Sequence, residues 1–144
     1  MPLLYVHVPF CIRKCAYCAF YSQPITPDQV DVYLEGLALE ARICKEDASQ
    51  GVSSLFIGGG TPTALEPDQL GRLFEILHRA FALDAEIEQT VEANPGTLTP
   101  EKLQLLRRWG VNRLSLGVQS FEEELLRRIG RIHTVEEIQV SIEW

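Results

Sequence analysis

Three cysteines fall within eight residues, Cys11, Cys15 and Cys18 in the stretch HVPFCIRKCAYCAF, at the spacing CxxxCxxC. An odd cluster cannot pair off into disulfides, and thiols packed this tightly point to metal or redox chemistry. A structural zinc takes four ligands, mostly as paired CxxC units, so His7 or the distant Cys44 would have to complete it. A cubane held by four cysteines has the same shortfall. Three thiolates on a [4Fe-4S] cluster instead leave one iron without a protein ligand, and a small molecule can chelate at that open vertex.

Two further segments carry polar groups in a pattern suited to a ligand. GGGTPT, Gly58 to Thr63, fits neither GxGxxG nor the P-loop, because no GK[ST] follows. It is either a plain turn or a place where backbone comes within contact distance of a ligand. Glu92, near the end of an alternating run, is either a solvated glutamate or an acceptor for ribose hydroxyls.

The elements that must position these residues alternate. Strand patterns at 3 to 8, 53 to 57, 86 to 93 and 112 to 118 are separated by helical spacing at about 27 to 49, 67 to 80 and 100 to 108, with at least one more helix after Ser120. Thr26 and Thr99 each precede a proline and acidic residues, the signature of a capped helix start, and Gly110 and Gly130 fall where helices end. Glu123 with Arg127 and Glu124 with Arg128 have i, i+4 spacing on an exposed face. Strand-helix alternation of this kind means parallel strands joined by right-handed crossovers. The cysteines, GGGTPT, Glu92 and Gln119 then all lie at strand C-terminal ends, the edge where parallel β/α folds build their sites. Periodicity leaves an open doubly wound sheet and part of a barrel equally allowed.

With 46% hydrophobic and 23% charged residues the chain reads as one globular domain, and its net charge of −7 opposes binding to nucleic acid or anionic membranes. No apolar run approaches the ~18 residues of a membrane span. Arg13 and Lys14 follow the first apolar segment, the wrong order for a secretory signal, so a cytoplasmic location is expected. Most arginines are expected on solvated helix faces, Cys44 as a thiol packed like a small hydrophobe, His78 on a helix surface and His7 pointing into the fold.

LYVHVPFCIRKCAYCAFYS, SLFIGGGTPTAL, VEANPGTLT and GVNRLSLGVQSFEEELLRRIGRIHT together, in this order over about residues 3 to 134, resemble the radical S-adenosylmethionine (SAM) superfamily. Within it they resemble the anaerobic coproporphyrinogen III oxidase family and its HemW-like heme-chaperone branch. The resemblance implies a (β/α)6 TIM-like barrel, of which about four β/α units are present here. It implies a [4Fe-4S] cluster on Cys11, Cys15 and Cys18, whose open iron is chelated by the amino and carboxylate groups of SAM. Electron transfer to SAM would then release a 5′-deoxyadenosyl radical.

The same resemblance implies contacts to the methionine part of SAM from Gly59, Gly60 and Thr61, and further SAM contacts from Glu92, Gln119 and Arg131. Tyr5 and Tyr17 match positions lining the SAM and cluster pocket. Phe20 stands where the oxidases carry another cysteine, which favours the chaperone branch: heme as cargo, heme-acceptor proteins and an electron donor as partners. The alternatives are a coproporphyrinogen III oxidase of porphyrin biosynthesis and a non-catalytic metal-binding module. Residues 1 to 144 are expected to be the N-terminal part of the radical SAM core, with the C-terminal domain absent and no heme transfer by this piece alone.

Overall fold

The structure is a computed structural model that describes residues 2–46, 48–49, 51–84 and 86–144. Six strands, β1 (Leu3–Val8), β2 (Phe10–Cys11), β3 (Gln23–Pro24), β4 (Ser54–Gly59), β5 (Glu88–Ala93) and β6 (Arg113–Leu116), alternate with five α-helices. The helices are α1 (Pro27–Cys44), α2 (Pro67–Ala80), α3 (Pro100–Arg108), α4 (Glu123–Arg128) and α5 (Val135–Glu143), with a 3-10 turn at Pro62–Ala64.

The main sheet has the order β1-β4-β5-β6 and every pairing is parallel. Strands therefore add one after another in chain order, without the reversal that defines a doubly wound sheet. Winding in one direction puts the crossover helices on one face. Val6, Val8, Leu55, Ile57 and Val91 point to that face and pack against Val30 and Leu34 of α1, Leu70, Phe74 and Leu77 of α2 and Leu106 of α3. Each such side chain taken fully from water contributes about 1.5–3 kcal/mol. Tyr5, Phe56, Thr90 and Arg113, in one register row, point to the other face, which none of the described helices packs against in the core. This is the winding of a barrel wall, so the α/β barrel expectation holds and the doubly wound alternative falls.

Helices α2 and α3 begin and end where the spacing predicts, whereas α1 stops at Cys44 rather than 49. Polar Lys45 and Glu46 end its apolar periodicity, and the chain turns through Gly51, at φ +92°, to enter β4. Strand β6 ends at Leu116, two residues early, because Val118 N turns back to bond Leu116 O. The ion pairs expected at i, i+4 in α4 give way to Arg127 with Glu124 at i, i+3, while Glu123 accepts a hydrogen bond from Val135 N, 2.7 Å.

Two other expectations need correction. Cys44 is exposed because it is the last residue of α1, at the rim of a groove that it lines with Leu4, Tyr5 and His7 of β1. His78 is half-buried rather than on the surface, its ring 5.0 Å from that of Trp109, which itself stacks on Phe74.

Candidate functional site

Residues 12–22 form a loop whose two ends are clamped together. Phe10–Cys11 pairs in parallel with Gln23–Pro24, with Gln23 N bonded to Pro9 O (2.8 Å) and Ile25 N to Cys11 O (2.9 Å). Inside it, Cys18 N donates to Cys15 O at 3.1 Å, a turn that folds the second and third cysteines toward each other. All three thiols are unpaired and half-buried. At the far end of the loop, Tyr21 O accepts from His7 Nε2 (2.9 Å), so the other ring nitrogen of His7 accepts from the Tyr5 hydroxyl (3.0 Å).

The loop folds over the C-terminal ends of the strands and encloses a cleft of about 320 Å³. Cys11, Cys15, Cys18, Tyr17, Gly59, Gly60, Thr61, Glu92, Gln119 and Arg131 all line it, together with Phe20. Tyr5 does not: it sits lower on the uncovered sheet face, stacked on Phe56, and reaches the loop only through His7. Cys44 lies beside a different groove, so among the described residues no fourth cysteine and no histidine lines the cleft.

The three glycines are demanded by the protein's own packing. A Cβ on Gly58 would stand 2.6 Å from Glu92 Oε2, one on Gly59 2.6 Å from the His7 ring and one on Gly60 2.4 Å from Phe10 O. Gly59 also adopts φ +110°, a conformation closed to other residues. Its N–H donates to Glu92 Oε2 at 3.0 Å, which fixes that carboxylate at the cleft wall. Gln119 has φ +67°, the sole positive value on a non-glycine among the described residues. Held strain of this kind clusters at ligand sites, and here it follows the early end of β6 and turns Gln119 into the cleft wall.

Beneath the loop a polar chain joins two of the cysteines. Thr61 Oγ1 donates toward Cys11 Sγ (3.7 Å) and accepts from Asn94 Nδ2 (2.7 Å), while Arg131 donates to Asn94 Oδ1, to Gly117 O and to Cys15 Sγ, the last at 3.4 Å. The Arg131 Nε is buried without a partner. Asn94 thus ties the GGGTPT turn to Arg131, a role missed at the level of single residues. Its signal was present as Asn-Pro-Gly directly after a strand, a tight turn at the edge that carries every other candidate.

Lys102, 8% exposed, was also overlooked. Its Nζ donates to Thr63 O (2.8 Å) and Thr97 O (3.2 Å), fastening the turns after β4 and β5 to each other, and burial pulls its pKa below the usual lysine value. His133, whose role no motif indicates, is 5% exposed and bonds Val118 O through Nε2 (3.1 Å). Burial lowers its pKa, outweighing the hydrogen bond that acts in the opposite sense.

A family model described as the Radical SAM superfamily matches residues 5–144. The chain belongs to the radical SAM superfamily. It is 42% identical to the heme chaperone HemW of Bacillus subtilis (strain 168) over 147 residues, covering 99% of this chain and 38% of the relative. It is 39% identical to the oxygen-independent coproporphyrinogen-III oxidase-like protein HemZ of the same organism, covering 93% and 28%. The solved coproporphyrinogen III oxidase HemN from Escherichia coli, a radical SAM enzyme, superposes with a TM-score of 0.90 at 36% identity, covering 99% of this chain and 33% of that one. The chain spans about two fifths or less of the length of these relatives.

Radical SAM membership implies a [4Fe-4S] cluster and SAM, and the donor set fits them. Three unlinked thiols face one cleft, two receive hydrogen bonds from neutral or cationic donors, and such bonds to sulfur tune iron-sulfur centres. The buried, unpartnered Arg131 Nε adds an unsatisfied donor next to the same wall. Among the described residues no three cysteine, histidine or carboxylate side chains converge to hold one metal ion. No described helix is long and apolar enough to cross a membrane.

Proposed function

We propose that residues 1–144 are the cluster- and SAM-binding part of a heme chaperone of HemW type. Cys11, Cys15 and Cys18 hold three irons of a [4Fe-4S] cluster, and Gly59, Gly60, Thr61, Glu92, Gln119 and Arg131 bind SAM beside it, with Tyr17 as part of the pocket wall. Tyr5 acts at one remove, by orienting His7 against the end of the cysteine loop. When bound, the cluster supplies an electron at an open iron and SAM supplies the group that accepts it. The residues of this chain anchor, orient and exclude water.

The observation that carries this reading is the meeting of three unpaired thiols, the glycine turn, Glu92, Gln119 and Arg131 in one cleft. Phe20, which lines that cleft and has no thiol, supports the chaperone over the oxidase, as does the 42% identity to a named heme chaperone. Heme is then cargo for acceptor proteins, held by segments outside residues 1–144, and an electron donor reduces the cluster in the cytoplasm.

Anaerobic reconstitution tests the reading. About four irons and four sulfides per chain are expected, falling sharply when any of the three cysteines becomes serine, and SAM is expected to perturb the electron paramagnetic spectrum of the reduced cluster. One metal per chain, or a spectrum indifferent to SAM, would refute it. The oxidase reading, favoured by the close superposition on HemN, predicts decarboxylation of coproporphyrinogen III by the full-length protein given SAM and a reductant.

A further inference from the structure

Arg131 reaches the cysteine loop by a built route. Helix α4 ends in a turn at Gly130, φ +77°, where Gly130 N bonds Arg127 O (3.1 Å) and Arg131 N bonds Leu126 O (2.9 Å). A Cβ on Gly130 would stand 3.4 Å from Ala16 N, so this turn lies directly against the loop, next to Cys15. The guanidinium is then fixed from two strand ends. Its Nη2 donates to Asn94 Oδ1 after β5 and to Gly117 O after β6. Gly117 is the residue that admits it, since a Cβ there would come within 2.5 Å of Asn94 Oδ1 and 3.2 Å of Nη2. With Nη2 anchored, Nη1 donates to Cys15 Sγ at 3.4 Å. Among the described residues no carboxylate forms an ion pair with Arg131, which leaves its positive charge to the thiols of the loop.

A fixed cation beside a thiolate favours whichever state of the bound group carries more negative charge. Reduction of the cluster adds one electron, taken from a low-potential one-electron donor, with no bond broken and no proton moved. The reduced state is therefore the more negative. Charge and hydrogen bonds at the sulfurs are among the levers that set iron-sulfur potentials. We infer that Arg131, through Cys15, raises the reduction potential of the cluster and so makes that electron easier to accept. Thr61, whose hydroxyl is neutral and lies 3.7 Å from Cys11 Sγ, contributes less by the same route. In this role Arg131 is a positioning residue. The inference rests on the cluster proposed above and not on any contact between Arg131 and SAM.

The test is a potentiometric titration of the anaerobically reconstituted chain without SAM, followed by the electron paramagnetic signal of the reduced cluster, with iron and sulfide analysis of every variant. Arg131→Gln, which loses the charge, is expected to lower the potential by about 59 mV or more, a tenfold change in the one-electron equilibrium. Arg131→Lys keeps the charge but not the planar fork, and its potential is expected to fall between those two. Thr61→Val is expected to lower it by less than Arg131→Gln does. Asn94→Ala keeps the guanidinium and loosens its seat, so it is expected to shift the potential in the same direction, and it decides the matter if Arg131→Gln holds no cluster. A potential unchanged or raised in the deciding variant overturns the inference and leaves the cluster assignment standing. A natural chain that assembles no four-iron cluster refutes that assignment, and this inference with it.

Discussion

Asn94 is the residue on which the polar architecture of the site turns, because its one amide accepts from Arg131 and donates to Thr61. Replacing it by alanine leaves the cysteine loop and its clamps in place but frees both partners from a shared position. A lost hydrogen bond to a charged group costs about 1.5–3 kcal/mol, so Asn94→Ala is expected to weaken SAM binding by about tenfold or more while iron content stays unchanged. Calorimetric titration of the reconstituted protein with SAM, beside iron analysis, separates the two effects.

His133 supports a second residue-scale prediction, on pH. Its folded pKa lies below its ordinary 6.5, because burial penalises the charged ring. The unfolded chain therefore takes up that proton more readily. The stability tied to neutral His133 is complete above about pH 6.5 and is lost as pH falls through that value toward the lowered one. Thermal melts between about pH 7 and 5.5 are expected to fall more steeply for the natural chain than for His133→Gln, which has no group to titrate there. Equal slopes would mean that His133 is not the titrating group.

At the scale of elements, the sequence displays helix starts more plainly than it displays how each start is held. Thr26 and Thr99 have the same signature, threonine before proline with an acidic residue next. Thr99 Oγ1 accepts from Lys102 N at 3.2 Å, whereas the Thr26 hydroxyl donates to the Gln29 side chain and caps no backbone N–H. Thr99→Ala is thus expected to cost about 1 kcal/mol in urea unfolding, and Thr26→Ala distinctly less. The reverse ranking would show that the cap geometry has been misjudged. Strand ends were harder to read than helix starts. Gly58 and Gly59 look like loop residues, yet they extend β4 because their backbone pairs with His7 and Val8, and a residue's chemical type does not reveal its partner. Lys102 was illegible for a related reason. A lysine next to a glutamate reads as surface until the turns after β4 and β5 are folded around it.

For the whole molecule, alternating strand and helix patterns were enough to establish parallel β/α units, but the strand order that distinguishes a barrel wall from an open doubly wound sheet depends on contacts between segments far apart in sequence. Cys11 and Cys15, the turn after β4, Glu92 and Asn94 at the end of β5, and Arg131 before α5 are spread over most of the chain, and only the order β1-β4-β5-β6 brings them to one edge. The cleft therefore exists only in the folded state, and whatever binds there stabilises the entire domain by mass action. SAM at about a hundred times its dissociation constant contributes about 2.7 kcal/mol, which for a domain of this size raises the melting temperature by about 6–10 °C. Calorimetric scans of the anaerobically reconstituted chain are expected to show that rise. The Cys15→Ser protein, lacking a complete cluster for SAM to chelate, is expected to show little of it. An equal rise in both would place SAM away from the cysteine loop, and no rise in either would mean that this cleft does not bind it.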